Sequence, residues 1–155
     1  MKLKHTVSIL FIMILCSIRG MSALAQSDID IHRDCAYCGM DRKAYGFSRM
    51  LIQYEDGTEV GVCSLHCALI EIDAHQGGRI KALLVADRDT RTLIDVEKVT
   101  WVLGGKKGGV MTKRAKWAFA SKHAADKFIA ANGGKIVSWD ETLAAAREDL
   151  ANEVR

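Results

Sequence analysis

The sequence lacks a hydrophobic run that is long enough to cross a membrane. Its N-terminal apolar stretch, Val7 to Cys16, has ten residues, whereas a membrane-spanning helix needs about 20. A basic segment precedes this stretch and a small-x-small site ending at Ala25 follows it, which is the pattern of a secretory signal peptide. We therefore predict a cleaved signal peptide at residues 1–25 and a single domain at residues 26–155.

A lipid-anchor signal is also missing. A lipobox has Leu three residues before the modified Cys and a small residue directly before it, but Met13 and Leu15 occupy these positions relative to Cys16. The sequence therefore predicts an exported periplasmic protein without a lipid anchor, and we do not expect it to be attached to a membrane.

The predicted mature chain has no net charge. The whole chain has a formal charge of +3, and the predicted signal peptide holds three basic residues and no acidic one. Its removal leaves equal numbers of basic and acidic side chains. A chain without a basic excess gives no reason to expect nucleic acid or an anionic membrane surface as a partner.

Patterns typical of catalysis are absent as well. The sequence shows no nucleophile placed beside a base and no pair of carboxylates spaced for acid–base chemistry. Its one Cys-x-x-Cys pair lacks the strand-helix context of a thioredoxin, which argues against a thiol–disulfide exchange protein. We therefore expect a binding protein and not an enzyme.

The most informative stretch that is present is Cys35-Ala36-Tyr37-Cys38-Gly39-Met40. A Cys-x-x-Cys pair alone is compatible with zinc, with a disulfide or with redox chemistry. Met40 adds a thioether, and thiolate with thioether is a ligand set that suits Cu(I). Gly39 can adopt backbone angles that other residues avoid, which would let the chain turn and bring the Met40 sulfur beside the thiols. The alternative is a zinc knuckle with a core methionine.

A second pair of thiols, Cys63 and Cys67, lies at the predicted junction of a strand and a helix, and Ser64 is the predicted N-cap of that helix. Both thiols would lie on one side of the first helical turn, away from the core-facing stripe of Leu65, Leu69 and Ile72. The helix N-terminus would favour the thiolate form. The four cysteines therefore predict one four-thiol metal site, which competes with two disulfides, the usual arrangement in an exported protein.

Met111 is the next candidate ligand. It follows the loop Gly104–Gly109, which holds four glycines and two lysines. A thioether on a flexible loop can close over a soft metal and leave again, whereas the simpler interpretation is a methionine packed under the loop. The lysines of this loop could contact an acidic partner or simply keep the loop in water.

The histidines are weaker candidates. His32 precedes the first thiol pair and could reach the metal as a borderline ligand. His66 and His123 occupy matching places at two helix starts, and His123 has no cysteine near it in sequence. A surface role is therefore the simpler interpretation for both, and His75 suits a charge partner at a helix C-terminus.

Two segments, Cys63–Ala68 and Ala120–Ala125, look like copies of each other. Both share a serine, a histidine and an alanine, and a pair of glycines follows each at a similar distance. The pattern predicts an α+β protein of two strand-strand-helix-strand halves with antiparallel pairing and a C-terminal helix. The predicted elements are a flexible lead-in at 26–34, strands at 47–54, 58–62, 79–87, 99–103, 116–120 and 135–139, helices at 64–75 and 121–132, and a last helix at 141–153 capped by Asp140.

With these residues in view, the chain resembles the NosL family. The residues that carry the resemblance are Asp34 to Met40, Val62-Cys63-Ser64, Thr100 to Gly105, Gly108 to Met111, Trp117 to Ala120, and Gly133 to Val137. The resemblance implies an α+β fold of two similar halves. It also implies a periplasmic Cu(I)-binding chaperone that helps to build the copper–sulfide centre of nitrous oxide reductase.

Two features depart from the family pattern. NosL proteins are typically lipoproteins, and the family loop usually reads Gly-x-Met-Gly, whereas Thr112 follows Met111 here. Copper delivery to a different cuproenzyme and a structural zinc module for protein contacts therefore stay open as alternatives. The predicted metal ligands are Cys35, Cys38, Met40, Cys63, Cys67 and Met111, with Cu(I) as the metal and zinc as the alternative.

Overall fold

The structure, a computed structural model, describes residues 28–153. The predicted signal peptide and Cys16 lie outside these residues. Within them, the strands are β1 (Met50–Tyr54), β2 (Glu59–Val62), β3 (Ile80–Ala86), β4 (Leu93–Asp95), β5 (Thr100–Leu103), β6 (Lys116–Phe119) and β7 (Lys135–Val137), and the helices are α1 (Leu65–Ala74), α2 (Lys122–Asn132) and α3 (Trp139–Glu153). No helix in this range is long and apolar enough to cross a membrane.

The strands form two antiparallel sheets with the orders β2-β1-β3-β4 and β6-β5-β7. In each sheet the first strand of a half lies in the centre, its hairpin partner lies on one side, and the strand after the helix lies on the other. The predicted α+β class and the repeated strand-strand-helix-strand order are therefore confirmed. Strand β4 is an addition that only the first half has.

Local signals explain the first hairpin. The turn between β1 and β2 closes through a hydrogen bond from the Tyr54 amide to the Thr58 carbonyl, and the Asp56 carboxylate accepts the Thr58 amide at 2.8 Å.

Strand β1 begins at Met50 and not at Phe47 as predicted. Residues 42–48 form turns instead, because the Asp41 carboxylate accepts the amides of the two residues that follow Arg42.

The main core lies between the first sheet and α1. The predicted helix stripe is confirmed, since Leu65 and Leu69 are buried and Ile72 packs against the same cluster. Helix α1 also contacts α3, whereas α2 packs on β5 and β6 in a separate cluster of the second half. The buried members of that second cluster are Val102, Ala115, Trp117, Phe119, Ala125 and Phe128.

The two sheets are joined where β3 and β6 end. Asp87 is buried directly after β3, and its carboxylate accepts the Ala120 amide at 2.9 Å. The Arg88 amide donates to the Ala118 carbonyl at 2.9 Å. These bonds satisfy backbone groups at both strand ends, which keeps the two halves in a fixed register at this point.

The segment before the first thiol pair is not a flexible lead-in as predicted. Residues 28–31 are helical, and Asp28 is 5% exposed. Its carboxylate binds both Arg42 and Arg49, each at 2.9 Å, and both guanidinium groups are fully buried. The polar composition of the segment suggested disorder, but one of its acids is needed to pair two buried cations.

The last helix begins two residues earlier than predicted, at Trp139. Asp140 is not its cap. The Ser138 hydroxyl accepts the Glu141 amide at 3.1 Å, and the Glu141 carboxylate accepts the Ser138 amide at 2.8 Å. This reciprocal pair is a capping box, and its Ser-x-x-Glu signature stands in the sequence.

Because Asp28 is the shared partner of two buried guanidinium groups, Asp28→Ala should lower the free energy of unfolding by about 3–5 kcal/mol. Urea denaturation followed by circular dichroism measures this change. Asp30→Ala is the matched control, because Asp30 is an exposed acid of the same segment. A loss at Asp28 no larger than the loss at Asp30 would show that the N-terminal segment does not hold the fold.

Candidate metal centre

The first thiol pair lies in a tight turn. The Cys35 amide donates to the Met40 carbonyl at 2.9 Å and the Gly39 amide donates to the Cys35 carbonyl at 3.0 Å. Gly39 has a φ of 71°, a conformation that favours glycine, so the predicted turn at this residue is present. The Ala36 amide donates to the Gly61 carbonyl at 3.1 Å, which attaches the turn to β2.

The second thiol pair lies where β2 passes into α1. Cys63 follows the last residue of β2, and Cys67 is in the first turn of α1. The Ser48 hydroxyl donates to the Cys63 carbonyl at 2.8 Å. The strand, the hydrogen bond from Ser48 and the helix therefore fix both thiols, and the turn of the first pair packs against them.

The four thiols form one cluster. The sulfur atoms of Cys35, Cys38, Cys63 and Cys67 all lie within 4.8 Å of one another. The Cys38 and Cys63 sulfurs are 3.5 Å apart, and the Cys63 and Cys67 sulfurs are 3.7 Å apart. All four are free thiols and form no disulfide. For comparison, four sulfurs at about 2.3 Å from one tetrahedral metal lie about 3.8 Å apart, so the cluster has the dimensions of a metal site.

The four thiols differ in their exposure. Cys35, Cys63 and Cys67 are at most 3% exposed, whereas Cys38 is an exposed residue. A metal bound here would therefore be enclosed on the protein side and accessible from the side of Cys38.

The cluster favours one thiolate at Cys63. Its hydrogen bond with Cys67, together with those with Ser64 and the other two thiols, outweighs burial and lowers the pKa of Cys63 to about 5. Hydrogen bonding to Cys63 and burial raise the pKa of Cys67, and burial chiefly raises the pKa of Cys38 to about 11. The negative charge at Cys63 adds to these effects and further raises the pKa of Cys67 and of Cys38.

Ser64 stands at the predicted N-cap position of α1, but its side chain makes no capping hydrogen bond. Its hydroxyl lies 3.7 Å from the Cys63 sulfur instead. The equivalent Ser121 caps α2 in the expected way by accepting the Ala124 amide at 3.2 Å. The Ser64 hydroxyl therefore contacts the Cys63 sulfur and does not cap the helix.

The two predicted thioether ligands lie in different parts of the chain, Met40 directly after the first thiol pair and Met111 after the glycine-rich loop. Met40 is half-buried against the main core, and its backbone amide is hydrogen-bonded to the Cys38 sulfur. Met111 is 41% exposed with a φ of 52°. The residues beside Met111, Val110 and Thr112, line a small cavity together with Ser64, so this loop lies near the start of α1. Both methionines remain predicted ligands.

The glycine-rich loop that leads to Met111 is anchored at both ends. The amides of Gly104 and Lys106 donate to the carbonyls of Ala115 and Asn132, at 2.8 and 2.7 Å. A Cβ at Gly105 would lie 2.9 Å from the Gly133 carbonyl oxygen, so the backbones approach more closely than a side chain allows. After Met111, Thr112 donates to Asp149 of α3 at 2.8 Å.

A model of the NosL family matches residues 26–146 of the chain, which is most of its length and includes all four thiols. The chain belongs to the NosL family. Among solved structures, it is similar to the crystal structure of the copper chaperone NosL from Shewanella denitrificans, with 20% identity and a TM-score of 0.52. The match covers 70% of this chain and 87% of that chain, and it supports the fold described above. No curated protein matches the chain.

The histidines within residues 28–153 of this NosL-family protein are not members of the group of close metal-binding side chains, which in this range consists of cysteines. His32 packs against Gly61, and burial and the charge of Arg42 lower its pKa. His66 lines the small cavity beside Ser64. His75 was expected to be a charge partner at the C-terminal end of a helix. In the structure it lies 3.6 Å from Glu71 and stacks on Tyr54.

Sequence reasoning missed two residues beside the cluster. Tyr37 stands between the two thiols of the turn, and burial, the charge of Glu71 and a hydrogen bond to Glu71 raise the pKa of Tyr37. Glu71 is an acid on the buried side of α1, where it is 8% exposed. A residue-by-residue comparison of the two repeats would have found it, because Phe128 occupies the equivalent position of α2.

The metal-free NosL-family protein should hold a thiolate at Cys63 at neutral pH. Because the pKa of Cys63 is lowered to about 5, this thiolate should be lost only as the pH falls through about 5, and the thiolate of Cys38, whose pKa is raised to about 11, should appear only well above neutral pH. Ultraviolet thiolate absorbance measures this titration. Cys63→Ser should abolish the acidic step. An acidic step that survives in Cys63→Ser would place the thiolate on another residue, since coupled groups titrate as a set.

Proposed function

We propose that the protein is a periplasmic Cu(I)-binding chaperone that supports assembly of the copper centre of nitrous oxide reductase. The observation that carries the copper part is the cluster of four free thiols with one exposed member, Cys38. The role is binding and transfer of a metal and not catalysis. The copper ion is cargo in this proposal, held long enough to be passed on.

The chemistry of the donors supports copper. Thiolate sulfur is the soft donor that Cu(I) prefers, and the cluster supplies four such donors within 4.8 Å of one another. The two predicted thioether ligands would add soft neutral donors. A structural relative that shares the fold is described as a copper chaperone, and membership of the NosL family is consistent with this role.

The unequal exposure of the thiols supports transfer. Cys38 is exposed, while its neighbour Cys63, whose sulfur lies 3.5 Å away, is fully buried. An acceptor can therefore approach Cys38 first. Exchange of this one ligand for a sulfur or an imidazole of the acceptor would leave the buried thiols in place until the metal moves.

The compartment and the acceptor follow from other parts of the sequence. The predicted signal peptide supports export, and the NosL resemblance supports nitrous oxide reductase or its maturation machinery as the partner. Delivery to another cuproenzyme would use the same thiol cluster, so the acceptor is a separate question from the metal.

The same geometry favours one alternative, a structural zinc site. Four thiolates at tetrahedral spacing are a common zinc ligand set, and the two closest sulfur pairs, at 3.5 and 3.7 Å, are compatible with it. In that function the metal would be part of the folded structure, and all four thiols would matter for stability.

The metal content of the protein after anaerobic purification with a reductant separates the two functions. We expect about one equivalent of copper, bound as Cu(I). We also expect Cys38→Ser to weaken Cu(I) binding in a chelator competition by at least tenfold while circular dichroism shows an unchanged fold, because the main core does not depend on this exposed residue. Bound zinc, or a Cys38→Ser protein that unfolds, would favour the structural zinc site instead.

The Met111→Leu variant, which removes one sulfur atom, distinguishes a copper site from a zinc site by its effect on the two metal affinities. Leu is close to Met in volume and Met111 is 41% exposed, so Met111→Leu should change stability by less than about 1.5 kcal/mol. If the loop closes Met111 over the cluster, this variant should lower the Cu(I) affinity about tenfold and leave Zn(II) affinity unchanged, because structural zinc takes no thioether. The methionine control is Met50→Leu, because Met50 lies in the core. Equal Cu(I) affinities for wild type and Met111→Leu would remove Met111 from the ligand set.

A further inference from the structure

The second half of the fold has a cleft that the thiol site does not use. Its volume is about 380 Å³, which is within the range of ligand-binding pockets. The glycine-rich loop, the turn after β3 and strand β6 contribute its walls. The side chains of these walls are three cations, one acid and two aromatic rings: Arg88, Arg91, Lys107, Asp89, Phe47 and Trp117.

The cleft has an excess of positive charge. The Asp89 carboxylate accepts a hydrogen bond from Arg88 Nη1 at 2.7 Å, whereas Arg91 and Lys107 form no ion pair within residues 28–153. Because the predicted mature chain has no net charge, this excess is a local feature of the cleft. It favours an anionic group as the occupant.

Arg88 is held in place by aromatic stacking. Its guanidinium carbon lies 4.7 Å from the centre of the Phe128 ring and 5.6 Å from that of the Trp117 ring. The Arg88 amide donates to the Ala118 carbonyl at 2.9 Å. A guanidinium that stacks by its face keeps its N–H edge for a carboxylate, and a side chain that is already ordered loses less entropy on binding.

The backbone of Arg91 is held in an unusual conformation. Its φ is 62°, in the left-handed region that residues with a side chain seldom adopt. The Arg91 amide donates to the Asp87 carbonyl at 2.8 Å, and its carbonyl accepts Nη1 of the buried Arg49 at 2.8 Å. Such conformations persist where the surroundings enforce them, and they are concentrated at functional sites.

Two residues of the cleft also have donors that are not used within the protein. Trp117 is 2% exposed, and neither its indole N–H nor the Nε–H of Arg88 has an acceptor among the residues that the structure describes. The indole N–H of Trp101, in contrast, donates to the Val96 carbonyl at 2.8 Å. Buried donors without an acceptor are rare, and these two add partial positive charge to the residues of the cleft.

We propose that this cleft is a docking pocket for an acidic side chain of the protein that receives the metal. The three cations would bind the carboxylate, and the rings of Phe47 and Trp117 would pack against the rest of the partner's side chain. The contact between Arg88 and Asp89 is an example within this chain of the interaction that the partner would make. The inference rests on the proposed function in that the partner is the metal acceptor.

The chain connects the cleft with both parts of the predicted metal site. Phe47 is followed by Ser48, whose hydroxyl donates to the Cys63 carbonyl at 2.8 Å. Lys107 lies in the loop that leads to Met111. A partner bound in the cleft would therefore contact two segments that continue directly to predicted ligands or to their contacts.

Titration of the metal-free protein, residues 26–155, with a short acidic peptide tests the cleft. The probe is acetyl-Ala-Glu-Glu-Ala-amide in about 0.15 M salt, where distant charges are screened. In heteronuclear NMR spectra we expect a saturable shift of the Trp117 indole N–H signal. The Trp101 indole is the internal control, because its N–H is already bonded, and the same peptide with Gln in place of both Glu residues should produce no shift.

Two neighbouring lysines of the loop provide matched variants. Lys107→Glu should lower the affinity for the peptide about tenfold, whereas Lys106→Glu should stay within about threefold of wild type. Both lysines are exposed and both changes alter the net charge equally, but Lys107 lines the cleft and Lys106 is not among the lining residues.

Asp89→Asn should have the opposite effect. It removes the carboxylate that competes for Arg88, so the peptide should bind about threefold more tightly. The fold should be unchanged, because an exposed ion pair contributes little to stability.

Four results would overturn the docking pocket: equal losses in the two lysine variants, weaker binding by Asp89→Asn, equal binding of the Gln peptide, or a Trp117 shift caused by inorganic phosphate and not by the Glu peptide. The last result would assign the cleft to a small free anion. Because the titration contains no metal, a protein that binds the Glu peptide and does not bind Cu(I) would contradict the proposed function and leave the carboxylate pocket in place.

Discussion

The buried guanidinium of Arg42 holds together the two segments that carry the thiols. It donates to the carbonyl of Val62, directly before Cys63, at 3.2 Å and to the carbonyl of Met50 at 3.0 Å. It also donates to the His32 carbonyl and pairs with Asp28. Its own amide donates to the Arg33 carbonyl. The chain before each thiol pair is therefore fixed to one fully buried cation, and Gly61 provides the space, because a Cβ there would lie 2.6 Å from the guanidinium.

This arrangement also has an electrostatic consequence. Two buried guanidiniums share one carboxylate, and burial lowers the pKa of Arg42 in spite of the Asp28 charge. Cys35 lies close enough to interact with this cation. The buried cation therefore lies beside the turn that carries the first thiol pair.

The architecture and the thiol cluster could be predicted from the sequence because both depend on local signals. Glycine pairs, an Asp-Gly turn and cysteine spacing at a strand-helix junction each act over a few residues. The buried contacts of Asp28 and Glu71 could not be predicted in the same way, since they arise from partners distant in sequence, Arg42 and Arg49 for one and Tyr54 for the other. Ser64 was predicted as a cap from local preference, and a nearby sulfur overrode that preference. The capping box of Ser138 and Glu141 is a local signal as well, although Asp140 was predicted as the cap.

The two halves of the fold show how one scaffold accommodates a site. The second half keeps a capped helix over an aromatic cluster, whereas the first replaces alanines by thiols, a phenylalanine by a glutamate, and a cap by a contact to sulfur. The buried carboxylate of Glu71 would lower stability without a hydrogen bond, and the Tyr54 hydroxyl donates one to it at 3.1 Å.

X-ray absorption spectroscopy of the copper-loaded protein at the copper edge tests most directly whether the thiols hold Cu(I) as one soft-donor site. We expect one Cu(I) per chain that is bound by sulfur atoms alone, and we expect this coordination to be unchanged by mutation of the histidines outside the cluster. A shell dominated by nitrogen or oxygen, or copper in the Cu(II) state under reducing conditions, would contradict it.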